Sequence, residues 1–283
     1  MKSYVSLLNE IIDNGTDIYN ERTGKSCRTI LNVSLEYDLT EDVLPILTTK
    51  YVAWKPAIAE LLGYLRGYSS AHQFRQLGTK TWDANANQSP GWLKNPNRKG
   101  TDDMGRVYGV QGRSWINKDG EKFDQLRDIY RKIKEGNDDR GLILTYWNPG
   151  EHHLGCLRPC VHTYQFSLLG DDLYLTVYQR SCDVPLGLPF NMIQIAVFLK
   201  LMAQITGKRP VKAVHNIVNA HIYNDQLELA KEQAQRAPKQ RPRFAIDPRI
   251  KTLADVESIM TVGDVRLITE YRHDDRIRYP FSP

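Results

Sequence analysis

The fourteen residues Tyr178-Gln179-Arg180-Ser181-Cys182-Asp183-Val184-Pro185-Leu186-Gly187-Leu188-Pro189-Phe190-Asn191 bring a fixed cation, small polar donors, a carboxylate, a Gly/Pro turn and an amide into one stretch. Arg180 suits an oxyanion, because a guanidinium meets phosphate through two parallel hydrogen bonds. Asn191 carries a donor and an acceptor on one planar amide, as the edge of an imide ring requires, although it also suits the N-terminal cap of a helix. Cys160, behind Arg158-Pro159, is the candidate nucleophile. A guanidinium two residues away favours the thiolate, and the competing reading is a small buried apolar residue. Glu60 lies among Ala57-Ile58-Ala59 and Leu61-Leu62, either on a solvated face or as a buried acid with a raised pKa. His221 and Tyr223 alternate along a strand and share a face, so both can reach one ligand. His152, His153, Cys156 and Cys160 follow no zinc spacing, and no metal is expected.

These groups need elements to position them. Val5, Leu8, Ile11 and Ile12 recur at helical spacing and stop before a capping Gly15, while Leu31, Val33, Leu35 and Tyr37 alternate as a half-buried strand. Pro56 starts a helix that runs to Arg66 and ends at Gly67. The stretch 85–103, rich in Asn, Pro, Gly and charge, predicts a long loop. Leu126, Ile129, Tyr130 and Ile133 form one face of a helix closed by Gly136, followed by a strand over 142–147. Strands over 164–169 and 173–181 flank Gly170-Asp171-Asp172, a hairpin signal. The segment 190–206 is apolar on nearly every face and ends at Gly207, which predicts a central buried helix. A strand over 211–218, a surface helix over 225–236, an irregular stretch at Pro238, Pro242 and Pro248, and a last strand over 265–271 complete the chain. The expectation is one α+β domain over residues 1–283, with no repeat and no linker.

A chain of 283 residues with 41% apolar and 25% charged side chains can bury a full core. Its net charge of +5 suits an anionic partner, but no block of like charges reads as a nucleic-acid arm. Four cysteines do not make a disulfide framework, and the start of the chain meets Asn9 and Glu10 before any leader-like apolar core forms. Gln194, Lys200 and Gln204 interrupt the longest apolar segment, so no membrane span is expected and the cytoplasm is the expected setting.

In their order the motifs resemble the folate-dependent thymidylate synthase family over essentially the full length. They are Glu21-Arg22-Thr23-Gly24, Pro45-Ile46-Leu47-Thr48-Thr49-Lys50, Ala59-Glu60-Leu61-Leu62, Thr81-Trp82-Asp83, Gly105-Arg106-Val107-Tyr108-Gly109, Leu157-Arg158-Pro159-Cys160, the run from Tyr178 to Asn191, and His221-Ile222-Tyr223. The resemblance implies a mixed β-sheet packed with helices, a homodimer joined through the sheet, and reductive methylation of dUMP to dTMP. The carbon and the hydride would come from 5,10-methylenetetrahydrofolate, used as a cosubstrate. It implies catalytic roles for Cys160, which would attack C6 of uracil, and for Glu60, Tyr108 and Asn191. Arg22, Arg158, Arg180 and Ser181 would hold the phosphate, with Arg140 reaching in from the second subunit. Gln179, Asp183, Asn191, His221 and Tyr223 would contact the rest of the nucleotide. Trp82, Asp183, Gly187, Phe190 and Pro283 would meet the folate.

The chain departs from the family pattern at several of these places. Val161 stands where a histidine usually follows the nucleophile, and His162 comes one place later. Gly141 follows Arg140 where a second arginine is common, and Arg158 replaces a frequent proline, so Arg158 is expected to restore the missing guanidinium. Gly112, Asn219 and Pro283 replace a tryptophan, an aspartate and an aliphatic end, marking a divergent branch. The nearest rival is a deoxyuridylate hydroxymethylase, in which water takes the place of hydride; Trp82 favours reduction, and Asn191 argues against a cytosine enzyme. A nucleic-acid-binding protein is the reading from another class, and no basic helix or stacking platform supports it beyond RNA binding as a side activity.

Overall fold

The computed structural model describes residues 3–21 and 23–281, so Arg22 and Pro283 lie outside the described residues. Ser3 caps the first helix, α1 (Tyr4–Asn14), by accepting from the Ser6 N–H at 3.0 Å, and Tyr4, Leu7, Leu8 and Ile11 face the core. Gly15 ends it in an extended conformation: a Cβ there would lie 2.4 Å from the Ile11 carbonyl oxygen and 2.6 Å from Arg28 Cγ. Close approach, not a left-handed φ, requires this glycine.

Next come β1 (Thr16–Asn20) and the long β2 (Lys25–Asp38). Val33, Leu35 and Tyr37 are buried as their alternation predicts, but Leu31 is 62% exposed, because Asn32 takes φ 60° and interrupts the pleat. The helices α2 (Trp54–Leu65), α3 (Ala71–Leu77), α4 (Asp83–Asn87), α5 (Pro90–Leu93) and α6 (Gly109–Arg113) follow, then a small hairpin of β3 (Trp115–Ile116) and β4 (Lys122–Phe123). The predicted loop at 85–103 therefore holds helical turns. Its polar side chains bond to one another instead of to water: Asp102 accepts from Arg75 at 2.5 Å and from Asn87 at 2.8 Å, and buried Trp92 donates to the Asp103 carbonyl at 2.6 Å. Composition alone does not distinguish such a tied segment from a mobile one.

Asp124 caps α7 (Gln125–Glu135) and Gly136 closes it at φ 71°. The chain continues through β5 (Ile143–Thr145), β6 (Val161–Leu169), β7 (Asp172–Gln179), β8 (Cys182–Asp183), α8 (Leu188–Thr206), β9 (Arg209–Tyr223), α9 (Leu227–Ala234), β10 (Phe244–Ile246), α10 (Leu253–Ser258) and β11 (Val265–Leu267). The main sheet has the order β1-β2-β9-β7-β6-β5, with β8 beside β9. Its β7–β9 and β8–β9 pairs are parallel and the others antiparallel, which makes the sheet mixed. The 211–218 strand extends to Tyr223, and the 225–236 helix resolves into a 3-10 turn followed by α9. Strands β5 and β11 are shorter than their apolar patterns predict.

Helix α8 is apolar all round because it is enclosed all round. Phe198 meets Tyr164 and Phe166 of β6 edge-on at 5.5 and 5.2 Å. It is long and apolar enough to cross a bilayer, contrary to the expectation from its interrupting polar residues, but 78% of that span is buried inside the protein. Gln194 is satisfied within the core, donating to the Ala57 carbonyl at 3.1 Å, and Lys200 pairs with Asp42.

Candidate active site

The antiparallel register of β6 and β7, with Val161 opposite Gln179, returns Arg180 beside Cys160. The Arg180 N–H donates to the Cys160 carbonyl at 2.9 Å, Nε to the Pro159 carbonyl at 3.0 Å and Nη2 to the Arg158 carbonyl at 3.0 Å. Nη2 then stands 3.9 Å from Cys160 Sγ. The cation at the sulfur is thus Arg180, brought by the hairpin, and not the sequence neighbour Arg158, whose side chain is exposed. Trp147 lies under the Arg180 guanidinium at 5.7 Å.

From the other side, the Cys160 N–H donates to the Tyr108 hydroxyl at 2.8 Å. Tyr108 is held at φ 41°, a conformation an aromatic residue rarely adopts and one that surrounding packing must enforce. Its ring stacks on Tyr64 at 4.7 Å, and burial drives its hydroxyl pKa well up. At Gly109 a Cβ would fall 2.1 Å from the Tyr64 carbonyl oxygen, so glycine is what lets α6 close onto α2.

One turn before Tyr64, Glu60 is half-buried, and loss of solvent raises its carboxyl pKa. Thr81, Gln194, Tyr64 and Trp82 point polar hydrogens at it and pull the value back. Gln194 closes a bond of 2.7 Å, whereas the indole N–H of buried Trp82 stops short of hydrogen-bond geometry with any partner. Gln194 lies on α8, less than a turn beyond Asn191. Asn191 is not the helix cap, since its own N–H already bonds the Gly187 carbonyl at 3.1 Å. Its Oδ1 accepts from Gln179 Nε2 at 3.2 Å, and Gln179 precedes Arg180. The circuit Cys160, Tyr108, Tyr64, Glu60, Gln194, Asn191, Gln179, Arg180 closes on itself.

At one side of the circuit, β8 pairs Asp183 with His221. The His221 and Tyr223 rings meet edge-on at 5.1 Å, and His221 Nδ1 bonds Asn219 Oδ1 at 2.9 Å. Burial pushes the Asp183 carboxyl up to about 6, although it accepts from the Leu186 N–H and from Gln226 Nε2, each at 3.1 Å. Gln226 also donates to the Pro280 carbonyl at 2.9 Å, tying the C-terminal segment to Asp183. Lys50 donates to the Pro185 carbonyl at 2.7 Å and lies over the Tyr279 ring, and burial lowers its pKa to about 8. The sequence carries no local signal of a role for Lys50 or Gln226, because their partners lie more than a hundred and about forty residues away.

Gly187 and Phe190 border the circuit at the start of α8, and Ser181 accepts through its carbonyl from Gln179 at 2.9 Å. Arg140 stands apart. It is exposed, at φ 65° in the turn before β5, bonded through its backbone to Asp138 and Gln165. Among the described residues no bond ties it to the Cys160 circuit. Val161 faces the core, while His162 turns to Trp147 at 5.8 Å, where burial and Arg180 depress its pKa. His152 packs edge-on against Trp147, and burial raises the Cys156 thiol to about 12. Among the described residues no three His, Cys, Asp or Glu side chains are grouped to hold a metal.

A nucleophile, a fixed cation, an oriented amide and an acid whose pKa burial raises, joined in one circuit, can add sulfur to an electron-poor ring and manage its protons. Comparison with known proteins decides the family: the model described as Thymidylate synthase matches residues 2–283. The chain belongs to the thymidylate synthase family. The thymidylate synthases of Pasteurella multocida (strain Pm70) and Vibrio parahaemolyticus serotype O3:K6 are each 58% identical to it over 283 residues, all of both chains. That of Histophilus somni (strain 2336) is 59% identical over the same span. The α+β fold with a mixed sheet agrees with membership of the thymidylate synthase family.

Proposed function

We propose that this chain is a one-carbon-transferring enzyme that methylates dUMP reductively to dTMP. The observation that carries this reading is the closed circuit around Cys160, with Arg180 at its sulfur and an oriented Asn191 amide, in a chain of the thymidylate synthase family. The Cys160 sulfur, with Arg180 beside it, adds to C6 of uracil. The same guanidinium, with Ser181, Arg158 and Arg22, binds the 5′-phosphate. Asn191 reads the imide edge, Gln179 acts through Asn191, and His221 with Tyr223 holds the ribose hydroxyl. Glu60, its pKa raised by burial, carries protons at the ring through water, and Tyr108 fixes the Cys160 backbone. When bound, methylenetetrahydrofolate supplies the carbon and the hydride. Trp82, Asp183, Gly187, Phe190 and Pro283 form its side of the site. A homodimer fits the exposed apolar residues of the sheet, Leu31, Ile143, Tyr178 and Val218, which a second copy would cover while Arg140 reaches the neighbouring phosphate. With four free cysteines, the cytoplasm is the proposed setting.

Incubation with dUMP and methylenetetrahydrofolate should yield dTMP and dihydrofolate in equal amounts, and Cys160→Ala should abolish both. Hydroxymethyl-dUMP with tetrahydrofolate as the products would reject the reading.

A further inference from the structure

The Asn191 amide is connected to a polar chain that crosses the core. His215, on β9, is fully buried. Its Nδ1 lies 3.0 Å from the Tyr37 hydroxyl of β2, and its Nε2 lies 2.7 Å from Gln179 Oε1 of β7. Gln179, itself only 2% exposed, donates through Nε2 to the Ser181 carbonyl at 2.9 Å and to Asn191 Oδ1 at 3.2 Å. Strand order β2-β9-β7 sets this line, because His215 sits on the strand between Tyr37 and Gln179.

The donor directions follow from one group that can only accept. The Ser181 carbonyl needs a donor, so it meets the NH2 end of Gln179, and Oε1 then faces His215. That oxygen requires a proton on His215 Nε2. Burial holds the imidazole pKa down to about 3, so the ring is neutral and Nδ1 must accept from the Tyr37 hydroxyl. The second Gln179 N–H therefore meets the oxygen of Asn191. A flipped Asn191 would set NH2 against NH2. Uracil presents N3–H and O4, which match the unflipped amide, and cytosine presents N3 and N4–H2, which match the flipped one.

We propose that His215 and Tyr37 are positioning residues for base selection, fixing through Gln179 which end of the Asn191 amide faces each atom of the pyrimidine. The inference rests on Asn191 reading the base, as set out above. Its test is the ratio of dUMP to dCMP affinities, measured calorimetrically without cosubstrate, for wild type, Tyr37→Phe, His215→Leu and His215→Gln. Loss of the buried donor in His215→Leu should shrink the ratio about tenfold or more, and Tyr37→Phe should shrink it roughly threefold. His215→Gln keeps a donor for Gln179 and an acceptor for Tyr37, and should restore the ratio to within about twofold of wild type. An unchanged ratio in His215→Leu overturns the proposal, and should that chain fail to fold, an unchanged ratio in Tyr37→Phe does so. Long-range 1H–15N NMR of the wild type should find the His215 proton on Nε2; a proton on Nδ1 refutes the relay whatever the variants do. A wild type that binds neither nucleotide would instead reject the reading of Asn191, leaving the tautomer result to stand by itself.

Discussion

Replacing Asp183 with asparagine should make the protein more stable at neutral pH relative to acid pH. Burial moves the Asp183 carboxyl from the usual 3.8 to about 6, against the pull of Gln226, Leu186 and Lys50. At about 1.4 kcal/mol per pH unit, keeping the charge inside the fold costs about 3 kcal/mol once the group is ionised in both folded and unfolded chains. The sign follows from proton release. Below pH 3.8 both chains hold the proton and the cost is absent. Between about pH 4 and pH 6 the unfolded chain releases it first, so stability falls as pH rises through this window, and above it the full cost applies. In Asp183→Asn that slope disappears, while one of the two hydrogen bonds made by the carboxylate is lost at every pH, an offset of about 1–2 kcal/mol. Urea unfolding of both chains at pH 4, 5, 6 and 7, at equal protein concentration, isolates the slope, because groups not coupled to Asp183 titrate alike in the two. Stopping at pH 7 stays below Lys50, which is near 8 in the wild type, where the Asp183 charge helps to hold it up. The variant-minus-wild-type stability should rise by about 2.4 kcal/mol from pH 4 to pH 7, the first part of the cost being already present at pH 4. A difference flat to within about 1 kcal/mol, or falling, would refute the argument that Asp183 is charged at a cost.

Other substitutions probe the circuit around Cys160. Gly109→Ala forces a Cβ onto the Tyr64 carbonyl and should cost about 1–3 kcal/mol with a lower Tm, and an equal or higher Tm contradicts the close approach. Glu60→Gln should lower kcat about 10²–10⁴-fold while dUMP affinity stays within about twofold; a comparable loss of dUMP affinity would make Glu60 a binding group and not a proton carrier. Gln226→Ala removes the bridge between Asp183 and the Pro280 carbonyl, so carboxypeptidase should trim the C-terminal segment faster than in wild type. Equal trimming rates would show that Tyr279 and its neighbours anchor the segment without the bridge.

What the sequence shows most directly is local. The face of α7 is legible from Leu126, Ile129 and Ile133 between the Asp124 cap and Gly136, and α8 from its continuous apolar surface, because helix periodicity and caps are written within a few residues. The motif order likewise singles out Cys160, Arg180, Asn191 and Glu60, which the fold places along one circuit. Their arrangement is not written locally. Arg158 is the nearest arginine to Cys160 along the chain, yet the β6–β7 register gives that place to Arg180. The stretch 85–103 has the composition of a loop, and its Asn and Asp side chains bond Arg75 and Asn87 across turns that composition does not encode. His215 is the sharpest case. In sequence it is one of several polar residues of β9, among Lys212, Asn216 and Asn219, and nothing local marks it for a burial that would be costly without partners. Its two partners come from β2, 178 residues away, and β7, 36 residues away, and only the inserted order β2-β9-β7 sets them on either side of it. Burial of that histidine is affordable because both ring nitrogens are satisfied, and the same satisfaction leaves Gln179, and through it Asn191, one orientation to adopt.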